Sequence, residues 1–157
     1  TYYELNERAA RSGYVDLVDV EAFREEERTS EEIRKLQSAG VHVIASFHNF
    51  DRTPDREELI RRLTRMQEMG ADVAKIAVMP QSREDVMTLM EATMEADHSL
   101  DIPVVTMSMG RLGVLSRLAG TLTGSAMTFA SVGEASAPGQ MGVKELETVL
   151  GLLHSAM

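Results

Sequence analysis

Cysteine and tryptophan are absent from the chain. Without cysteine there is no disulfide framework, no thiolate nucleophile and no cysteine-bound metal. With no tryptophan, four phenylalanines and eleven methionines, the core has to be built from small and flexible side chains. No apolar run approaches the ~18 residues that a membrane-spanning helix needs, and the first residues carry no signal-peptide pattern. The sequence therefore predicts a soluble, cytoplasmic protein without a membrane partner. Positive charge is scarce as well, and the net formal charge is −9. That excludes the clustered basic surface of a nucleic-acid binder. Arg56, Arg61, Arg62 and Arg65 alternate with Glu57, Glu58 and Glu68 and read as a solvated helix face. No pair of histidines or carboxylates has the His-x-x-x-His type of spacing, so no metal site is expected.

At 157 residues the chain is one domain's worth, large enough for a sizeable core. Helical patterns and short apolar runs alternate along it. Helices are expected at Tyr2–Ser12, from a Thr29/Glu32 capping box to Leu36, after Pro54 at a first helical position, and after Ser82 with Asp85. Further helices are expected near Val114–Leu118 and at Val143–Met157. Strands are expected at Val15–Phe23, Val41–Ser46, Val73–Pro80, Val104–Met109 and Ala126–Ser131. A helix–glycine–strand passage recurs at Gly13, Gly40 and Gly70, at intervals of roughly 30 residues, the length of one strand plus one helix. Such alternation implies a parallel sheet with right-handed crossovers.

The open choice is between a doubly wound sheet and a (β/α) barrel. Strand alternation places Leu17, Asp19 and Glu21 on one face of the first strand, and Val73, Lys75 and Ala77 on one face of the third. Helices on both sides would bury those charges, whereas a barrel turns one face to an active-site axis. The expectation is an α/β fold with a parallel (β/α) TIM-type barrel, here a partial barrel of about five strands in a single domain over residues 1–157. Eight strands close such a barrel in ~250 residues. The chain is thus expected to be the last five strands of one, with the first three absent.

Within this frame Lys75 sits inside an apolar strand stopped by Pro80. Desolvation disfavours an ammonium, and a neutral amine is a nucleophile that can form a Schiff base with a carbonyl. Taken alone, such a lysine more often snorkels or pairs with a carboxylate. His48 follows the second strand and is the natural acid/base partner. Glu21, Met107, Met109, Arg117, Ser136 and Gln140 fall at the same rim, the C-terminal ends of the strands. Read singly, Arg117 is a helix-surface charge, Met107 and Met109 are core, and His42, His98 and His154 are structural. The Gly110/Gly113 turn is a weak candidate for a phosphate cradle.

The motifs together carry more than any one alone. Ser46-Phe47-His48-Asn49-Phe50 with Thr53-Pro54, then Lys75-Ile76-Ala77-Val78-Met79-Pro80-Gln81, resemble type I 3-dehydroquinate dehydratases of the shikimate pathway. Thr106-Met107-Ser108-Met109-Gly110, Ser116-Arg117-Leu118-Ala119-Gly120 and Ala135-Ser136-Ala137-Pro138-Gly139-Gln140 resemble them too, in order along essentially the whole chain. The resemblance implies a (β/α)₈ barrel, usually a homodimer, that dehydrates 3-dehydroquinate with no metal or organic cofactor. It makes Lys75 the imine-forming lysine and His48 the general acid and base. It makes Arg117 the substrate-carboxylate ligand and places Ser136 and Gln140 on a lid. Met107, Met109 and Phe129 become the apolar wall of the substrate site. The family's first three strands would supply further substrate-binding carboxylates and arginines. A rival expectation is a truncated, catalytically impaired dehydroquinase-like barrel that self-associates or needs a complementing segment. A third is another Schiff-base lyase such as an aldolase.

Overall fold

Gly40 and Gly70 show how the chain turns from helix into strand. Both take a left-handed backbone, φ +93° and +90°, which glycine adopts without steric cost. Their N–H groups close the preceding helices on Gln37 and Gln67 carbonyls at 2.9 Å, and a strand follows each. In a computed structural model that describes residues 1–156, this passage orders the chain as α1 (Tyr2–Ala10), β1 (Leu17–Glu21), α2 (Glu26–Ser38), β2 (His42–Asn49), α3 (Arg56–Glu68) and β3 (Val73–Val78). After them come α4 (Arg83–Ser99), β4 (Val104–Ser108), α5 (Val114–Leu118), α6 (Gly120–Thr123) and α7 (Val143–Ser155).

The strands form one parallel sheet in the order β1-β2-β3-β4. Each neighbour in the sheet is the next strand in the chain, as right-handed βαβ units dictate. One face carries Val18, Val20, Val43, Ala45, Ala74, Ile76, Val78 and Val104, packed against Ile33 and Leu36 of α2, Leu59, Leu63 and Met66 of α3, and Leu89 of α4. The other face carries a smaller cluster of Ile44, Val73, Ala77, Val105, Met107 and Met109, with Phe129 against it. All the helix-packed apolar mass is on one side, which leaves the opposite face free for polar groups.

Several boundaries differ from expectation, each for a local reason. Helix α2 starts at Glu26, and Thr29 and Glu32 are buried within it rather than capping it. Thr29, Ile33 and Leu36 form one stripe at helical spacing, and burying that stripe extends the helix a turn upstream. At α3 the N-cap is Asp55, whose carboxylate accepts the Glu58 N–H at 2.8 Å, so Pro54 precedes the helix. Ser82 does cap α4 through the Asp85 N–H. Strand β2 runs on to Asn49 and therefore contains His48. Arg62 is half-buried rather than fully solvated: its guanidinium lies 4.7 Å from the Phe23 ring centre and 4.0 Å from that of Phe47, and it pairs with Glu58.

The expected fifth strand is the main correction. Residues 126–130 are irregular, and Ser131 makes one isolated bridge to Gly142. Ala126 N–H does reach Val104 O at 2.8 Å, but the Thr106 N–H is taken by the Ser125 hydroxyl at 3.0 Å. A side chain thus occupies the donor that a ladder would need. The parallel α/β architecture stands, with four strands among the described residues instead of five. Helix α7 buries Leu146 and leaves Val143, Leu152 and Leu153 exposed. The expected end of that helix at Met157 lies outside the described residues.

Candidate active site

Register stacks the polar residues of the free face into layers. Glu21, Ser46, Lys75 and Val105 lie side by side across β1–β4. Asp19 lies one layer below beside Ile44 and Val73, while His48, Ala77 and Met107 lie one layer above.

The Lys75 side chain is 12% exposed. It leans across β2 to donate from Nζ to Asp19 Oδ2 at 2.7 Å, and its ammonium lies 5.2 Å from the centre of the Phe129 ring. Ser46, fully buried, donates to the other Asp19 oxygen. His48 Nδ1 pairs with Glu21 Oε1, and the Phe50 ring stacks on the imidazole at 6.1 Å with 10° between the planes. A carboxylate only accepts hydrogen bonds, so a neutral His48 carries its proton on Nδ1 and its lone pair on Nε2. Nε2 is then the basic nitrogen.

Lys75, His48, Phe50 and Phe129 share one cleft of ≈ 240 Å³. Its lining is His48, Phe50, Lys75, Ala77, Met107, Met109, Phe129, Ser136, Ala137 and Gln140. Seven of the expected site residues are among them: Lys75, His48, Met107, Met109, Phe129, Ser136 and Gln140. The Ser136 N–H and hydroxyl both donate to Gln140 Oε1, at 2.9 and 3.1 Å, so the two residues form one unit.

Arg117 is placed differently from its single-residue reading. It is 4% exposed, not a surface charge. Nη2 donates to the Pro138 carbonyl at 3.0 Å, Nη1 lies 3.6 Å from Met107 Sδ, and Nε has no partner. Burial pushes its pKa down. It stands behind Met107, beside the cleft rather than in its lining, and it borders a second cleft of ≈ 220 Å³ with Thr121, Thr128 and His154.

The Gly110/Gly113 turn is no anion cradle. Gly110 N–H is taken by Pro138 O at 3.1 Å. A Cβ on Gly113 would meet Ser108 O at 2.1 Å, and one on Gly139 would meet Gly110 O at 2.5 Å. Gly139 thus lets its loop lie against the turn after β4, and Gly113 lets α5 begin against the end of β4. Among the described residues no three His, Asp or Glu side chains gather as a metal site. His42, His98 and His154 sit on the surface, His98 on the Met94 carbonyl at 2.7 Å.

The sequence places Asp19 and Glu21 on the inner face and Ser46 and Phe50 in the motif around His48, but it assigns no role to Asp19, Ser46 or Phe50. Strand parity was the available signal. It gives the face of a residue and says nothing about which partner stands across the next strand.

Comparison with known proteins bears on the whole chain. The model of the family described as Type I 3-dehydroquinase matches residues 1–157. A 3-dehydroquinate dehydratase of Listeria welshimeri is 54% identical over 153 residues, which is 98% of this chain and 61% of that protein. One from Klebsiella pneumoniae is 50% identical over 153 residues, 97% of this chain and 61% of the relative. The chain thus spans 61% of the length of these curated relatives. Among solved structures, 3-dehydroquinate dehydratase from Geobacillus kaustophilus superposes with a TM-score of 0.94 at 45% identity, over 98% of this chain and 60% of the other. The type I enzyme from Clostridium difficile, solved with covalently modified comenic acid, gives 0.94 at 48%, over 99% and 62%.

Proposed function

Since the chain belongs to the type I 3-dehydroquinase family, we propose that it carries the Schiff-base chemistry of a 3-dehydroquinate dehydratase. The observation that carries this reading is Lys75 and His48 lining one cleft on the free face of the sheet, each tied to its own carboxylate.

The reaction runs as follows. Lys75 Nζ adds to the C3 ketone of 3-dehydroquinate, and loss of water gives an iminium. The iminium draws electrons from the adjacent carbon, so the C2 proton becomes acidic enough for an imidazole. His48 Nε2 takes that proton, with Glu21 holding the ring by Nδ1. The C–H pair becomes the C2–C3 double bond of an enamine as the carbon–nitrogen π pair moves onto nitrogen. That pair then returns to re-form the iminium, the C2–C3 pair becomes the C1–C2 double bond, and the C1 hydroxyl, protonated by the same imidazole, leaves as water. Hydrolysis of the iminium then releases 3-dehydroshikimate and restores the lysine.

Arg117 holds the substrate carboxylate from behind Met107, where a buried guanidinium without an anion gains most from one. Reaching it requires the Pro138 carbonyl to give way. Ser136 and Gln140 close over the ring, and Met107, Met109 and Phe129 exclude water. The reading includes a cytoplasmic homodimer that uses neither nucleic acid nor cofactor.

Borohydride added with 3-dehydroquinate should trap a covalent adduct on Lys75, located by mass spectrometry of the digested chain. Lys75→Met should abolish it. A folded sample that yields no adduct overturns the reading.

A second reading is a dehydroquinase-like chain that binds without turnover, or that turns over only with a complementing segment. The edge of β1 favours it, since among the described residues β1 is paired with β2 alone and open edges invite association. Sustained release of 3-dehydroshikimate by the chain alone, followed by absorbance, would rule it out.

A further inference from the structure

We infer that Asp19 is the counter-ion of the iminium formed at Lys75, and that Ser46 fixes it in that post. This rests on Lys75 being the imine-forming lysine. It adds a catalytic residue to the site, one that touches the reacting nitrogen.

The geometry is built by three strands. Lys75 Nζ reaches Asp19 Oδ2 at 2.7 Å from two strands away. Asp19 Oδ1 accepts the hydroxyl of Ser46, which lies in register beside Lys75 and is fully buried. One carboxylate oxygen is thereby held to the sheet, and the other is turned to the amine. The remaining charged groups of the free face are committed elsewhere. Glu21 and His48 pair with each other, and Arg117 is engaged with Pro138 and Met107. Phe129 covers Lys75 on its other side. Asp19 is therefore the single anion aimed at Nζ among the described residues.

The chemistry gives that anion a task. A protonated primary amine and a ketone yield an iminium and water. The carbon–nitrogen double bond forms, the carbon–oxygen bond breaks, and two of the three ammonium protons leave on the water oxygen. One N–H stays, still directed at Asp19 Oδ2, and the positive charge is conserved. An imine holds its proton less firmly than the parent amine, yet only the protonated form is a strong electron sink. A carboxylate at hydrogen-bond distance favours the cation. Asp19 keeps the sink charged through the cycle.

The test compares the chain with Asp19→Asn, which keeps the side-chain shape and removes the charge. Each is treated with acetaldehyde and cyanoborohydride, which reduces the iminium and spares the neutral imine. Alkylation is read at each lysine by mass spectrometry over a pH series. Lys35 and Lys144, the other two lysines, serve as internal references. In Asp19→Asn the alkaline fall-off at Lys75 should move about one pH unit lower, the small end of the range for a charge partner because the Asp19 side chain is 38% exposed. Profiles at Lys35 and Lys144 should not move, and Asp19→Glu should restore the original one. A Lys75 profile unchanged by Asp19→Asn overturns the inference. If Asp19→Asn does not fold by circular dichroism, Ser46→Ala decides. Releasing Oδ1 should shift the Lys75 profile the same way by less, and an unmoved profile again overturns the inference. The series repeated with 3-dehydroquinate separates the two readings. No adduct there, with the acetaldehyde shift intact, removes the substrate and leaves the counter-ion.

Discussion

Lys75 and His48 stand two strand positions apart in register, on neighbouring strands, and each is held by a carboxylate of β1. Their tasks separate on mutation. In the proposed reaction Lys75 makes the covalent bond, so its loss should remove both adduct and turnover. His48 there moves protons on the bound substrate. His48→Ala should therefore still give a borohydride-trapped adduct with 3-dehydroquinate while turnover falls by about 10²–10⁴-fold, the range for general acid–base catalysis. Equal loss of adduct and turnover would move His48 out of the proton-transfer role. Glu21 and Asp19 explain why both side chains were hard to read singly. A lysine within a strand and a histidine near a strand end are ordinary features. Their meaning comes from the carboxylate across the sheet, and the sequence does not state which carboxylate that is.

The elements are set by turns and caps as much as by apolar pattern. Asp55 closes the start of α3 with one side-chain bond to the Glu58 N–H. Asp55→Ala should cost about 1 kcal/mol of stability, seen as a lower urea midpoint at unchanged slope. An unchanged midpoint would mean that the Asp55 side chain does not cap α3. Pro54, next to it, is the more visible signal in the sequence, yet it stands one residue before the cap and not at the first helical position. The capping pattern at Thr29 misled for a related reason. Capping residues also occur within helices, and there the decision falls to the buried stripe of Thr29, Ile33 and Leu36. At residues 126–130 the apolar pattern suits a strand, yet the Ser125 hydroxyl occupies the Thr106 N–H. Competition from a side chain cannot be seen in periodicity.

At the scale of the whole molecule, stability depends on pH through two carboxylates of opposite sense, Asp72 half-buried and Glu32 buried. Burial resists the charge of Asp72, but hydrogen bonds from Gln37, the Val43 N–H and His42 outweigh it and hold its pKa below the usual carboxylate range. Its contribution is therefore present above the unfolded value and lost as pH falls through the folded one. Asp72→Asn should lower stability by about 1 kcal/mol at pH 7, the difference between a charged and a neutral hydrogen bond, and by almost nothing near pH 2. Glu32 is the reverse case. Burial, with Glu7 nearby, pushes its pKa up, and its Oε1 has no partner. A raised carboxyl stabilises below its unfolded value, and that contribution is lost as pH rises through the folded one. Glu32→Gln should accordingly leave stability near pH 3 almost unchanged and raise the thermal midpoint at neutral pH. A Glu32→Gln variant less stable than the parent at pH 7 would contradict this.

The sequence by itself determined the alternation of helix and strand, because glycine turns, strand parity and helical stripes are written in neighbouring residues. It also determined the family, since motifs at Ser46–Phe50, Lys75–Gln81 and Ala135–Gln140 recur in order along the chain. Tertiary structure alone decided that Arg117 is buried behind Met107, that Asp19 faces Lys75 and that Glu21 faces His48. The two carboxylate pairings join residues far apart along the chain, and only the register of parallel strands brings them within hydrogen-bond distance, whereas Arg117 is closed off by the loop that brings the Pro138 carbonyl onto it.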